Sequence, residues 1–300
     1  VGFAHFVVCV YAGPNVAGDL GLNLNCGRET EDLAERHGTP DEMMEMLSMG
    51  KTQNESKAPQ AGLSTYPGAD TETPLTVKLG VEIKRIWAIS QKSMTYNVKY
   101  RLILAWVDCR LRFGGHNRIQ VPDSAPEWNN FWRPEPTIVE EEAREAPMVK
   151  KDLMIFPDGA VVYLQERVST MSCHFSFEDM PYDRHQCFLN IQLANYFTRE
   201  VNMVWSDSAR MLQPLIVSAL SDSEWMFSQQ NDWQVEAPSD PDNNYNMQRK
   251  SLRASFMLER KSYHMMSSHF VPCIVYWFIS YLAMWVDAAA VPGRAALHTL

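Results

Sequence analysis

From Leu75 onward the chain alternates. Leu75, Val77, Leu79, Val81 and Ile83 are apolar between polar or small neighbours, and Val98, Tyr100, Leu102, Leu104 and Trp106 stand against Asn97, Lys99 and Arg101. A strand points successive side chains to opposite faces, so a period of two predicts a half-buried β-strand in each segment. The pattern returns at Cys187, Leu189, Ile191 and Leu193, and again at Leu252, Ala254, Phe256 and Leu258. The alternating segments are broken by Gly, Pro, Asn and Asp, with no strong amphipathic helix between them. That organisation, over residues 75–260, predicts an antiparallel β-sandwich of about ten strands.

Beyond Lys261 the alternation stops. Residues 262–286 are 25 consecutive positions without Asp, Glu, Lys or Arg. At 1.5 Å per helical residue they reach roughly 37 Å, enough to cross a hydrocarbon core of about 30 Å. A transmembrane helix is predicted, the alternative being a buried helix of a soluble protein. Trp277, Tyr281 and Trp285 suit a lipid interface, and Pro272 is tolerated where neighbouring groups satisfy the freed carbonyl.

The first seventy-four residues follow neither period. Residues 1–13 (VGFAHFVVCVYAG) are apolar and read as a remnant of a secretory signal peptide, so 1–27 are taken as leader. Residues 28–74 are predicted as a short N-terminal helix, with a start signal at Thr39-Pro40-Asp41, followed by a loop rich in Gly, Pro, Ser and Thr. That loop carries a glycosylation sequon, Asn54-Glu55-Ser56. The expected division is therefore leader 1–27, helix and loop 28–74, sandwich 75–260, and membrane segment 261–300.

Composition narrows the function. Hydrophobic residues make up 46% of the 300 positions and charged residues 21%, which permits a core and excludes a disordered tail. The balance of 27 basic against 36 acidic side chains, net −9, weighs against nucleic acid as the partner. No phosphate-binding glycine loop, zinc spacing or nucleophile constellation is present, so no enzyme, cofactor or metal is expected. Glu140, Glu141, Glu142 and Glu145 form an acidic run, read either as a solvated loop or as a cation-attracting patch. His264 and His269 lie at the entrance to the apolar segment.

Cysteines stand at 9, 26, 109, 173, 187 and 273. A bridge between Cys173 and Cys187 would close a loop of fifteen residues, a constraint of about 3 kcal/mol. Two reduced core cysteines fit the same spacing equally well. Cys109 and Cys273 are taken as unpaired, and Cys9 and Cys26 are left unassigned.

The residues inside this loop decide between the readings. Pro181-Tyr182-Asp183 lies four residues before Cys187, and the whole resembles the signature loop of the Cys-loop receptors, the pentameric ligand-gated ion channels. Trp106-Val107-Asp108-Cys109-Arg110-Leu111 resembles that family's W-x-D-x-R-L, and Trp132-Arg133-Pro134-Glu135 its W-x-P-D with Glu in place of Asp. Phe156-Pro157-Asp158-Gly159, with Val161, Tyr163 and Arg167, resembles the strand leading into the Cys loop. Arg260, Pro272, Trp285-Val286-Asp287 and Pro292-Gly293-Arg294 continue the pattern in order.

The resemblance implies a mainly β extracellular sandwich behind a short N-terminal helix, followed by α-helical membrane segments, in a pentamer of identical or related subunits in the plasma membrane. It implies a Cys173–Cys187 disulfide, and gating coupled through Pro181, Asp183 and Arg260. Met180 stands where many relatives carry an aromatic, which weakens the expectation of a cis bond at Pro181. A small extracellular agonist is expected between subunits, contacted by Tyr196, Phe197, Tyr245 and Arg101. Arg101, placed where an aromatic is common, favours a carboxylate-bearing ligand over an amine. Pro292, Gly293 and Arg294 open the pore-lining helix without a carboxylate, which implies chloride as the permeant ion, with a cation-selective channel as the alternative. The chain ends about two turns past Arg294, so an incomplete subunit is expected. The rival readings are an anchored ligand-binding or dominant-negative subunit without a pore of its own, and an adhesion receptor with an unrelated sandwich.

Overall fold

Every alternating segment of the sequence becomes a strand. In the computed structural model, residues 16–22, 67, 74–114, 117–144, 150–207, 214–217, 224–228, 249–285, 292–293 and 296 are described. Among them are twelve strands: β1 (Leu75–Ser90), β2 (Thr95–Val107), β3 (Ile119–Pro122), β4 (Pro136–Ile138), β5 (Glu141–Arg144), β6 (Lys150–Ile155), β7 (Ala160–Ser172), β8 (Arg184–Leu193), β9 (Val201–Trp205), β10 (Leu215–Val217), β11 (Trp225–Ser228) and β12 (Ser251–Arg260). A one-turn helix α1 (Val16–Asp19) precedes them and a 21-residue helix α2 (Ser262–Leu282) follows. The expected helix between residues 28 and 50 and the sequon at Asn54 lie outside the described residues.

The chain divides into two units. The first comprises residues 1–173, 188–218 and 231–255. Its larger sheet has the order β10-β1-β2-β7-β6-β3, with β9 also on β1 and β5 on β7. Pairing is antiparallel except for β9 and β10, which run parallel to β1. A smaller sheet carries β4 antiparallel to β8, with β12 beyond β8. The alternating residues seen in the sequence fill the space between: Leu79, Leu102, Leu104, Tyr163 and Ile191 are all fully buried. Arg167 crosses the gap, donating from Nη1 to the Pro136 carbonyl at 3.0 Å.

The opposite face of the larger sheet is the surprise. Ile103, Ala105 and Val107 of β2 point away from the inter-sheet core, yet are at most 9% exposed. Val16, Ala17, Leu20 and Leu22 cover them, together with Met154, Phe156, Ala160 and Val162. Asp158 fixes this segment: its Oδ2 accepts the Ala17 N–H at 2.6 Å, while Oδ1 accepts the N–H of Ala160. Gly159, next in the turn, has φ +86°, and a Cβ there would lie 2.9 Å from the Asp108 carbonyl oxygen. Only glycine fits that approach. Part of the expected leader, residues 16–22, is thus packed onto the sandwich.

The second unit comprises residues 174–187, 219–230 and 256–300, and holds β11 antiparallel to the end of β12. Here α2 carries no buried residue in its apolar window and meets the length and hydropathy of a membrane span. Residues Met266–Phe270 form a π-helical turn just before Pro272. Proline has no N–H to return to the carbonyl four residues back, and widening the turn absorbs that loss. On α2 the Trp277 ring stacks on Tyr281 with centroids 6.0 Å apart, and Trp285, just past the helix, meets Tyr281 edge to face at 6.5 Å.

Candidate ligand-contact and gating-coupling sites

The second unit concentrates its polar chemistry on one carboxylate. Asp183 and His185 lie two apart at the start of β8, so both face the interior, and each is 2% exposed. Arg260, the last residue of β12, donates from Nε to Asp183 Oδ1 at 2.6 Å and from Nη2 to Oδ2 at 2.9 Å. The backbone N–H of Arg260 also donates to the Asp183 carbonyl. The guanidinium lies 4.4 Å from the Trp225 ring centroid, a cation–π contact inside the unit. Burial pushes the Asp183 carboxyl up, but hydrogen bonds from Arg260 and His185 outweigh it and hold the group below the usual aspartate value. Pro181 follows a cis peptide, although Met180 made that less assured. Met180 and Tyr182, on either side of the proline, are exposed.

The expected ligand residues fall into two places. Arg101 stands on the outer face of β2 and is paired on both sides, Nη1 with Glu82 of β1 at 3.0 Å and Nη2 with Glu166 of β7 at 3.3 Å. In register these residues form the row Glu82, Arg101, Glu166, Lys150, alternating in sign across four strands. Lys84 and Lys99 also close on Glu166. Burial opposes its ionisation, but the hydrogen bonds from the two lysines prevail, and the carboxyl is pulled down to about 2. A ligand carboxylate at Arg101 would therefore compete with two carboxylates already in place.

Tyr196 lies in the turn after β8 and accepts a hydrogen bond from Trp132 Nε1 at 2.9 Å. Trp132 in turn meets Trp106 edge to face at 5.3 Å, so the W-x-P motif and the W-x-D motif pack on one another. Phe197 lies beneath two guanidinium groups, Arg199 at 5.7 Å and Arg249 at 5.5 Å. Tyr245 lies outside the described residues.

Other expectations are revised. Cys109 is not unpaired: it is disulfide-bonded, as are Cys173 and Cys187, while Cys273 on α2 is free. Two members of the acidic run, Glu140 and Glu141, are committed to structure, whereas Glu142 is exposed. Glu140 binds the Asn190 N–H at 2.8 Å and its amide side chain, and Glu141 pairs with Arg144 and Ser169. Glu145 lies outside the described residues. Pro292 and Gly293 are helical and exposed, a Cβ on Gly293 would meet nothing within 4 Å, and Arg294 lies outside the described residues.

The W-x-D-x-R motif is explained locally. Asp108 caps the turn Cys109–Leu111, accepting the Arg110 N–H, and also holds the Arg110 side chain at 2.8 Å. His185, Trp225, Glu82 and Glu166 were not found from sequence. The Asp183-x-His185 spacing at the head of an alternating strand was the available signal for the first, whereas Trp225 comes from a segment without period.

Comparison with known proteins agrees with this arrangement. Residues 63–262 match the neurotransmitter-gated ion-channel ligand binding domain. A gamma-aminobutyric acid receptor subunit pi of Bos taurus is 24% identical over 230 residues, covering 75% of this chain and 50% of its own length. A gamma-aminobutyric acid receptor subunit beta of Caenorhabditis elegans is 26% identical over 227 residues, 74% of this chain and 40% of its own. A glutamate-gated chloride channel of Drosophila melanogaster is 22% identical over 232 residues, 76% of this chain and 49% of its own. The chain belongs to the neurotransmitter-gated ion-channel family, the Cys-loop receptors, which are channels and not enzymes. It spans about half the length of the curated relatives it matches.

Proposed function

We propose that this chain is a subunit of a pentameric ligand-gated channel that conducts chloride in the plasma membrane, opened by a small extracellular ligand. The observation that carries the reading is the buried Asp183–Arg260 pair, which ties the Cys-loop segment to the residue two positions before α2. A doubly hydrogen-bonded buried pair is rigid enough to pass a displacement from a loop into a membrane helix. Agonist binding shifts a closed-to-open equilibrium, and Pro181, Asp183 and Arg260 transmit that shift. Tyr196, Phe197 and Tyr245 contact the ligand from one subunit and Arg101 from the next. Arg101 takes part only if the ligand displaces Glu82 or Glu166.

Chloride selectivity rests on the opening of the pore helix. Five copies of Pro292-Gly293-Arg294 place no carboxylate ring at the pore mouth, so nothing there repels an anion. A relative named as a glutamate-gated chloride channel points the same way. In the full-length subunit, the reversal potential of the agonist-evoked current is expected to follow the chloride gradient. Gly293→Glu, at a position with open space around it, is expected to move it toward the cation value. A wild-type reversal that tracks sodium and ignores chloride replacement rejects the reading.

Cys173 and Cys187 are proposed to pair with each other. A non-reduced digest analysed by mass spectrometry is expected to show their two peptides joined. Finding each joined to a different peptide would overturn the Cys-loop assignment.

A further inference from the structure

We propose that His185 is a positioning residue for the Asp183–Arg260 pair, holding the carboxylate in the orientation that Arg260 grips. The inference rests on the coupling role proposed for that pair. His185 is buried, and both ring nitrogens are used. Nδ1 lies 3.3 Å from the backbone N–H of Ser176, which can only donate. Nδ1 is therefore the acceptor, the proton is on Nε2, and Nε2–H donates to Asp183 Oδ2 at 2.6 Å. The imidazole thus bridges the backbone of the 174–181 loop to a carboxylate already held by Arg260.

Three aromatic rings fix the imidazole plane. Phe175 meets it edge to face at 4.9 Å, Phe177 lies at 5.7 Å and Trp225 at 5.6 Å. Trp225 is the ring that also underlies the Arg260 guanidinium. His185 and Arg260 therefore share both a carboxylate and an aromatic support, and a tilt of one reaches the other through each. Among the side-chain contacts of the described residues, the Asp183 carboxylate accepts two N–H groups from Arg260 and one from His185. Remove the His185 donor, and Oδ2 loses one hydrogen bond while the Ser176 N–H loses the Nδ1 acceptor. A ring of the same shape without nitrogen would fill the space and leave the carboxylate free to turn.

The test separates geometry from packing. Glutamine offers one donor and one acceptor from a planar amide, as the neutral imidazole does, whereas phenylalanine keeps the ring and offers neither. In the full chain solubilised in detergent, His185→Gln is expected to unfold within about 1 °C of wild type. His185→Phe is expected to fall by about 4 °C or more. Asp183→Asn should cost less in the His185→Phe background than alone, because both changes break one network. In agonist-evoked currents, His185→Phe is expected to raise the half-maximal concentration about fivefold or more and His185→Gln less than about twofold. Phenylalanine tolerated as well as wild type, or losses that simply add, would overturn the proposal. The unfolding cycle does not depend on conduction, so a chain that passes no current rejects the channel reading and still tests His185.

Discussion

Asp183→Ala is expected to destabilise the protein by about 3–5 kcal/mol, because it leaves the Arg260 guanidinium buried without its counter-charge. The Arg260 side chain is 5% exposed, so water cannot replace the lost carboxylate without the end of β12 moving. Trp225, stacked on that guanidinium, is a fluorophore at the point of failure, and denaturant unfolding followed by tryptophan emission reads the loss. Asp183→Asn keeps an acceptor but not the charge and is expected to fall between wild type and Ala. The double variant Asp183→Asn with Arg260→Gln should recover part of the loss, since it removes the unpaired cation as well. Losses that add, or an Asp183→Ala cost below about 1 kcal/mol, would show that the pair is not the support argued here.

Acid offers an independent check on the same pair. The folded Asp183 carboxyl lies below its ordinary value, so the unfolded chain binds the proton more readily than the folded one. The stability it contributes is complete above the unfolded value of about 3.9 and is lost as pH falls from there through the folded value. Stability of Asp183→Asn is expected to fall less steeply than that of wild type across that window. Parallel curves would mean that the ion pair carries no linkage.

The sequence made some of this legible and hid the rest for physical reasons. Strands β1, β2, β8 and β12 were readable because one face is buried and the period of two records it. The candidate membrane span α2 was readable because a lipid-crossing helix needs an uninterrupted apolar run. Asp183 and Arg260 lie 77 residues apart, and no local rule joins them; only the motif order suggested the pair. Cys109 was misjudged because spacing singles out only short loops, and the disulfide that engages it has no close partner in sequence. In β2 the run Leu102-Ile103-Leu104-Ala105-Trp106-Val107 is continuously apolar, which marks a strand covered on both faces. Alternation alone assigned only Leu102, Leu104 and Trp106 to a core, since the cover for Ile103, Ala105 and Val107 comes from residues more than eighty positions earlier.

That cover makes the second large prediction. Leu20 is 2% exposed in the cluster that seals the outer face of β2, β6 and β7, and its N–H closes α1 on the Val16 carbonyl at 2.9 Å. Truncating a buried leucine typically costs 2–5 kcal/mol, and a site one layer deep at the sheet surface belongs near the lower end, about 2–3 kcal/mol. A removable leader would make Leu20→Ala silent, so the two readings of residues 16–22 differ by most of that amount. Leu20→Asp goes further, placing a charge in that apolar cluster and lifting the segment from the sheet. The apolar patch beside the Glu82, Arg101, Glu166, Lys150 row would then face solvent, and dye binding to exposed hydrophobic surface is expected to rise. Asp158→Ala should reproduce part of the effect by freeing the Ala17 N–H. Wild-type unfolding midpoints for both Leu20 variants, with no gain in dye binding, would show that residues 16–22 do not support the sandwich.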